Sequence, residues 1–214
     1  MVGRGMTIAV IETPLDLAHA TEELAASSDI WAKILAQTGP LPMRRKPAGF
    51  ATLLDAIVGQ QVSIASARAI WARVCEAGFD AQDRMRRATP EALAACGLSR
   101  PKIRYALALA ASDVDWEAHA TLPDHAVISE LTGHIGIGKW TAEVYALQAL
   151  GRRDVFPAGD LALQEAARAL FGLAARPGEA ELRALSQDWR PNRAVAARAL
   201  WAYYRIMKNR EGIR

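Results

Sequence analysis

Apolar positions in this chain recur every three to four residues over most of its length. Phe50, Leu53, Leu54, Ile57 and Val58 lie at i, i+3, i+4, i+7 and i+8, and Ala67, Ile70, Trp71, Val74 and Cys75 repeat that spacing. Each set therefore lines one face of an amphipathic helix. Further stripes follow at Ile103, Ala106, Leu107 and Ala110, at Leu163, Ala166, Ala167, Leu170 and Phe171, and at Val195, Ala199, Leu200, Tyr203, Ile206 and Met207. No stretch alternates apolar and polar residues with the period of two that a half-buried strand requires. Helix starts are marked by Asp16, by Thr89-Pro90-Glu91, by Leu122-Pro123-Asp124 and by Pro191-Asn192, because a first-turn proline gives up an amide that has no helical partner anyway. The pattern predicts an all-α fold of roughly ten helices. The segment 38–47, with three prolines and the run Arg44-Arg45-Lys46, reads as a linker whose charges are either solvated or in contact with phosphate.

One interruption carries chemistry. Gly136 and Gly138 flank Ile137 between two helical segments, where the chain can turn tightly because glycine tolerates positive φ. The helix starting near Lys139 leaves its first amides without helical partners, and with no Cβ at 136 or 138 an anion can reach the main chain. Such a turn is either an ordinary corner between helices or a phosphate site. Further along, Asp160 precedes Leu161-Ala162-Leu163-Gln164. An aspartate there is a good N-cap, and it is also a carboxylate placed where the helix dipole favours negative charge.

Composition narrows the classes without choosing one. A chain of 214 residues can bury a sizeable core as one domain or as two packed subdomains. The balance of 26 Lys and Arg against 23 Asp and Glu, with a pI near 9.1, permits a polyanionic partner without requiring one. Cys75 and Cys96 are too few for a disulfide framework and have neither zinc nor iron–sulfur spacing, so a reducing cytoplasm is expected. The first ten residues lack an apolar export core, and no window is apolar over a length that would span a bilayer, so neither export nor membrane insertion is predicted.

The motifs Gly59-Gln60-Gln61-Val62-Ser63, Gly97-Leu98-Ser99 with Lys102, Gly136-Ile137-Gly138-Lys139-Trp140-Thr141-Ala142, Phe156-Pro157-Ala158-Gly159-Asp160-Leu161, and Trp189-Arg190-Pro191-Asn192-Arg193 with Leu200-Trp201 occur in this order. That order resembles the 3-methyladenine DNA glycosylase II family of the helix-hairpin-helix glycosylase superfamily, over approximately residues 45–205. The resemblance implies two packed helical subdomains with the active site in a cleft between them. One is the middle of the chain, about 48–150, with the hairpin near 131–142; the other joins 1–47 to 151–214. Larger relatives carry an extra β-rich domain at the N-terminus; here the first forty residues read as helical, so the likeness is to the compact members.

The reaction implied is hydrolysis of the N-glycosidic bond between a damaged purine and deoxyribose, which begins base excision repair. Asp160 matches the family's catalytic position, where it stabilises positive charge developing on the sugar, a role compatible with capping. Relatives that also cut the strand resemble Gly-x-Gly-x-Lys at the hairpin and use that lysine to form a Schiff base. This chain has Trp140 there, with Lys139 one residue off, so no lyase step is expected; a buried core tryptophan is the structural alternative. Trp201 lies nearly opposite the apolar stripe of its helix. In the family the matching residue stacks on the extruded base, and otherwise it packs against a second partner. Tyr145 is a further candidate for the base pocket, next to Val144 where some relatives have an aromatic.

Gln61 matches the family's wedge, which fills the gap left by the extruded nucleotide, and otherwise reads as a surface hydrogen-bonding residue. Gly136, Gly138, Lys139 and Thr141 are the expected phosphate contacts. His134-Ile135 departs from the family order there. The resemblance implies no required cofactor, a structural monovalent cation at the hairpin carbonyls as a candidate, and a cytoplasmic monomer acting on double-stranded DNA. Two rivals remain: a catalytically silent damage-recognition protein on the same scaffold, and a glycosylase for deaminated or oxidised purines.

Overall fold

Several helices in the computed structural model, which describes residues 9–211, begin where a side chain receives the first amides. Thr13 caps α1 (Pro14–Ser27) in a reciprocal box with Asp16, Ser28 caps α2 (Asp29–Thr38), Ser63 caps α4 (Ile64–Glu76) and Thr89 caps α6 (Pro90–Ala95). Each side-chain oxygen satisfies a donor that the helix itself leaves orphaned. The remaining helices are α3 (Phe50–Val58), α5 (Gln82–Arg86), α7 (Arg100–Ala111), α8 (Asp124–Thr132), α9 (Lys139–Gln148), α10 (Leu161–Leu170), α11 (Glu179–Leu185) and α12 (Arg193–Glu211). Among the described residues there is no strand, only an isolated bridge between Val10 and Arg152. Of the helices that neither a stripe nor a start signal marked, α5 and α11 have five and seven residues, too few to show a clear repeat. The stretch 1–8, part of the segment read above for export, lies outside the described residues. No helix among the described residues is long and apolar enough to cross a membrane.

The described residues divide into two compact units, one running from Lys46 to Tyr145 and the other made of residues 9–45 and 146–211. In the middle unit α7 is the hub, packing against α3, α5 and α6. Leu53, Leu54, Ile57 and Val58 on α3, and Ala106 and Ala110 on α7, are completely buried. Burying each leucine or isoleucine stabilises the unit by about 1.5–3 kcal/mol. The stripe on α4 is buried less than its periodicity suggests: Val74 is buried but Cys75 is exposed, because α4 packs chiefly on α3 alone.

In the other unit α12 packs against α1, α2 and α10. All of its residues 194–200 are at most 2% exposed. The one-sided stripe predicted for this helix is therefore absent from its first half, since a helix enclosed on several sides buries every face. Alanines at 194, 196, 197 and 199 let the neighbours approach closely. Trp31, Phe156, Phe171 and Trp189 complete the core. Trp189 meets Trp31 edge-on at 5.1 Å and stacks on Phe171 at 5.6 Å, geometries that aromatic quadrupoles favour.

Candidate active site

Asp160 closes a short turn before α10. Its amide donates to the Pro157 carbonyl at 2.9 Å, and the buried Gln164 side chain returns to the Ala158 carbonyl at 3.0 Å. Its Oδ1 accepts from the Ala162 and Leu163 amides at 2.9 and 3.1 Å. The capping role is thus realised, and the residue is half-buried rather than enclosed. What leads into the turn is also anchored. Asp154 receives a two-point contact from Arg193 at 2.8 and 3.0 Å and a third from Arg190 at 2.9 Å, the planar fork geometry that orients a carboxylate firmly. Arg153 reaches Asn192 at 2.7 Å and also pairs with Glu23. Asn192, followed by Arg153, holds the Glu23 carboxyl below its usual range. The motif 189–193 therefore braces the segment that presents Asp160.

Trp201 is half-buried on α12, and the Arg44 guanidinium lies over its ring, 6.0 Å from the centroid. The charged linker is accordingly engaged at each position of the Arg44-Arg45-Lys46 run. Arg45 donates to the Gln148 carbonyl at 3.3 Å, and Lys46 pairs with Asp55 at 2.7 Å.

The hairpin belongs to the middle unit. The chain leaves α8, turns through 133–138 and enters α9, with the Ile137 amide donating to the His134 carbonyl at 3.1 Å. Gly136 has φ +84°, and a Cβ there would sit 2.3 Å from Tyr105 Cγ. Left-handed backbone and close approach thus both demand glycine. Gly138 differs from expectation: its φ is not positive, and a Cβ would meet nothing within 4 Å. What its lack of a side chain provides is open space over the start of α9, where Lys139 is exposed. Ile137, 4% exposed, pins the turn to the core. Beside it lies a groove of about 520 Å³ lined by Gln60, Tyr105 and the segment 132–138.

Gln60 is the site residue that the sequence did not single out. Its Nε2 donates to the Gly136 carbonyl at 2.9 Å, coupling the 59–63 loop to the hairpin. From the other side the buried Lys102 ammonium donates to the Val58 carbonyl at 2.7 Å, at the end of α3, and burial lowers its pKa. Lys102 stood in a quoted motif without a role, and the structure supplies one. Between these ties Gln61 is exposed and left-handed, with φ +55°, a conformation that costs a non-glycine residue on the order of 1 kcal/mol.

Two expected site residues are packed instead. Tyr145 is 2% exposed, its hydroxyl accepts from the Gly49 amide at 2.9 Å, and Trp116 and His119 surround its ring. With no open face it cannot stack on a base. Burial raises its phenol pKa, partly opposed by that bond. Thr141 is 3% exposed, which removes it from a phosphate site facing solvent. Trp140 goes the other way: at 41% exposure it is not the core tryptophan that was the alternative reading.

These arrangements define a helical protein with a glycine hairpin and a capped acidic residue, and comparison with known proteins assigns the class. Residues 54–192 match the family described as HhH-GPD superfamily base excision DNA repair protein, and the chain belongs to that family. It is 25% identical over 198 residues to the alkylbase DNA glycosidase-like protein mag2 of Schizosaccharomyces pombe, covering 87% of this chain and 93% of that one. Among solved structures it is similar to 3-methyladenine DNA glycosylase Mag1 of Schizosaccharomyces pombe in complex with abasic DNA, with TM-score 0.76 and 28% identity over 86% of this chain and 95% of the other. It is also similar to a DNA-3-methyladenine glycosidase from Bacillus halodurans, with TM-score 0.79 and 28% identity over 95% of both chains.

Proposed function

We propose that this protein is a monofunctional DNA glycosylase that hydrolyses the N-glycosidic bond of alkylated purines such as 3-methyladenine in double-stranded DNA. The observation that carries the reading is Asp160, a half-buried carboxylate whose Oδ1 is fixed by two amides at the start of α10. An alkylated purine that is already cationic is a good leaving group, so the remaining demand is to steady the positive charge that grows on the sugar. A carboxylate locked before the reaction needs no reorganisation to do this, and it can orient the attacking water. Trp201 stacks on the extruded base, and Trp140 stands at the position of a Schiff-base lysine, which supports hydrolysis without strand cleavage. Gln61 is the wedge, exposed and held in an unusual backbone state. Gly138, the first amides of α9 and Lys139 take a backbone phosphate. In this reading the enzyme is a cytoplasmic monomer that needs no cofactor, with a structural monovalent cation at the hairpin carbonyls.

Support comes from the family membership and from the likeness of most of the chain to 3-methyladenine glycosylases. The test is to incubate the protein with methylated, hypoxanthine-containing and oxoguanine-containing duplexes, count free bases, and treat parallel samples with borohydride. Release of methylated purines with no trapped covalent complex is expected. Release confined to hypoxanthine or oxoguanine, or a trapped complex, would overturn the substrate or the mechanism respectively.

A further inference from the structure

The loop 59–63 joins α3 to α4 and carries Gln61, exposed and left-handed. Both ends of the loop are secured within the middle unit. Lys102 donates to the Val58 carbonyl at 2.7 Å, and the Ser63 hydroxyl, as the cap of α4, receives the Ser66 amide at 3.1 Å. From the middle of the loop Gln60 reaches outward, its Nε2 donating to the Gly136 carbonyl at 2.9 Å across 76 residues of sequence. That acceptor is held firmly. Gly136 is left-handed at φ +84°, and the space a Cβ would take is filled by Tyr105, whose ring lies 5.5 Å from the Arg104 guanidinium. The next residue, Ile137, is 4% exposed and donates to the His134 carbonyl at 3.1 Å. A left-handed backbone at a residue with a side chain persists where its surroundings fix it, and Gln60 supplies such a fixing point beside Gln61. The Gln61 side chain, by contrast, takes part in no hydrogen bond among the described residues.

We propose that Gln60 is a positioning residue for nucleotide extrusion: its bond to Gly136 joins the loop bearing Gln61 to the hairpin, so that a strand held by its phosphate at the hairpin meets Gln61 at a preset place in the base stack. The inference rests on the readings of the hairpin as the phosphate site and of Gln61 as the wedge. Unstacking a nucleotide is costly, and a side chain that fills the gap offsets that cost only when it arrives in register. Phosphate contacts fix the register of a protein on a duplex. A short tie to the element that makes those contacts passes the register on to the wedge, whereas a loosely hinged loop spreads the wedge over many orientations. One neutral hydrogen bond adds little to stability by itself, so orientation is what this tie provides.

Gln60→Met keeps the volume and removes the donor, and Gln61→Ala removes the wedge. Two readouts at saturating protein follow them singly and together. A duplex with 2-aminopurine beside an abasic analogue brightens when a side chain opens the stack, without any catalysis, and single-turnover release from methylated duplex reads the whole reaction. Gln60→Met is expected to slow release about fivefold, the scale of one hydrogen bond, and to dim the fluorescence gain correspondingly. Its duplex affinity, which phosphate contacts dominate, is expected to change by less than about threefold. The double substitution is expected to match Gln61→Ala alone, because Gln60 acts through Gln61. A full signal in Gln60→Met beside a reduced one in Gln61→Ala overturns the positioning role and leaves the wedge and glycosylase readings standing. Losses that multiply in the double substitution, the mark of independent structural damage, do the same. A full signal in Gln61→Ala overturns the wedge reading and the proposal with it, whereas the expected fluorescence pattern without base release supports the positioning role and overturns the glycosylase reading alone.

Discussion

Asp160 performs two tasks in this account, and its substitutions separate them. As a cap it accepts from Ala162 and Leu163 through one oxygen. Removing a capping aspartate in favour of alanine costs about 1 kcal/mol. For a chain of this size that corresponds to a melting temperature lower by about 2–4 °C. Asparagine retains an acceptor in the same place and caps about as well, so Asp160→Asn should unfold within a few tenths of a kcal/mol of the unsubstituted protein, by the equivalence of these caps. The charge is a different matter. Loss of one preorganised electrostatic contact to a developing charge slows a reaction by about 10²–10³. Asp160→Asn is therefore expected to bind an abasic-analogue duplex normally, melt normally, and release methylated purines slower by that factor. Single-turnover base release, fluorescence binding and thermal unfolding on the same preparation make the comparison. If Asp160→Asn keeps base release within about threefold, the residue is a cap and nothing more, and the charge-stabilisation argument fails.

The two hairpin glycines should part company. Gly136→Ala forces a Cβ to 2.3 Å from Tyr105 at φ +84° and should cost about 2 kcal/mol or more in urea unfolding, whereas Gly138→Ala meets open space and should leave stability within about 0.5 kcal/mol while weakening abasic-duplex binding. Equal stability losses would refute that division. Gln61→Gly relieves a left-handed residue and should stabilise by roughly 0.5–1 kcal/mol, yet slow base release from duplex DNA severalfold by removing the wedge; unchanged release would show that Gln61 does not fill the gap. Tyr145→Phe deprives the Gly49 amide of its acceptor and should destabilise by about 1–3 kcal/mol, with base release per folded molecule retained. A selective loss of catalysis there would return Tyr145 to the pocket.

The helical class, the main helix positions, the helix starts at Asp16 and Thr89 and the left-handed turn at Gly136 are all readable in the chain, because each depends on residues within four positions of one another. The capping geometry of Asp160 is of the same kind. By contrast, the family resemblance suggested Tyr145 and Thr141 as pocket and phosphate contacts, and the fold closes over both, since one aromatic or hydroxyl-bearing residue on a helix does not reveal whether its face meets solvent or another helix. Local pattern also left Gln60 and Lys102 without roles, because their acceptors lie 76 and 44 residues away. Periodicity marks which face of α12 is apolar but not how many neighbours enclose it, so the burial of residues 194–200 was settled only by packing. Arg44 over Trp201 is the same lesson. A charged run in a proline-rich linker looks solvated until the linker is pinned to a helix far along the chain, and pairings at that separation arise from chain closure around a common core, for which no local spacing carries a signal.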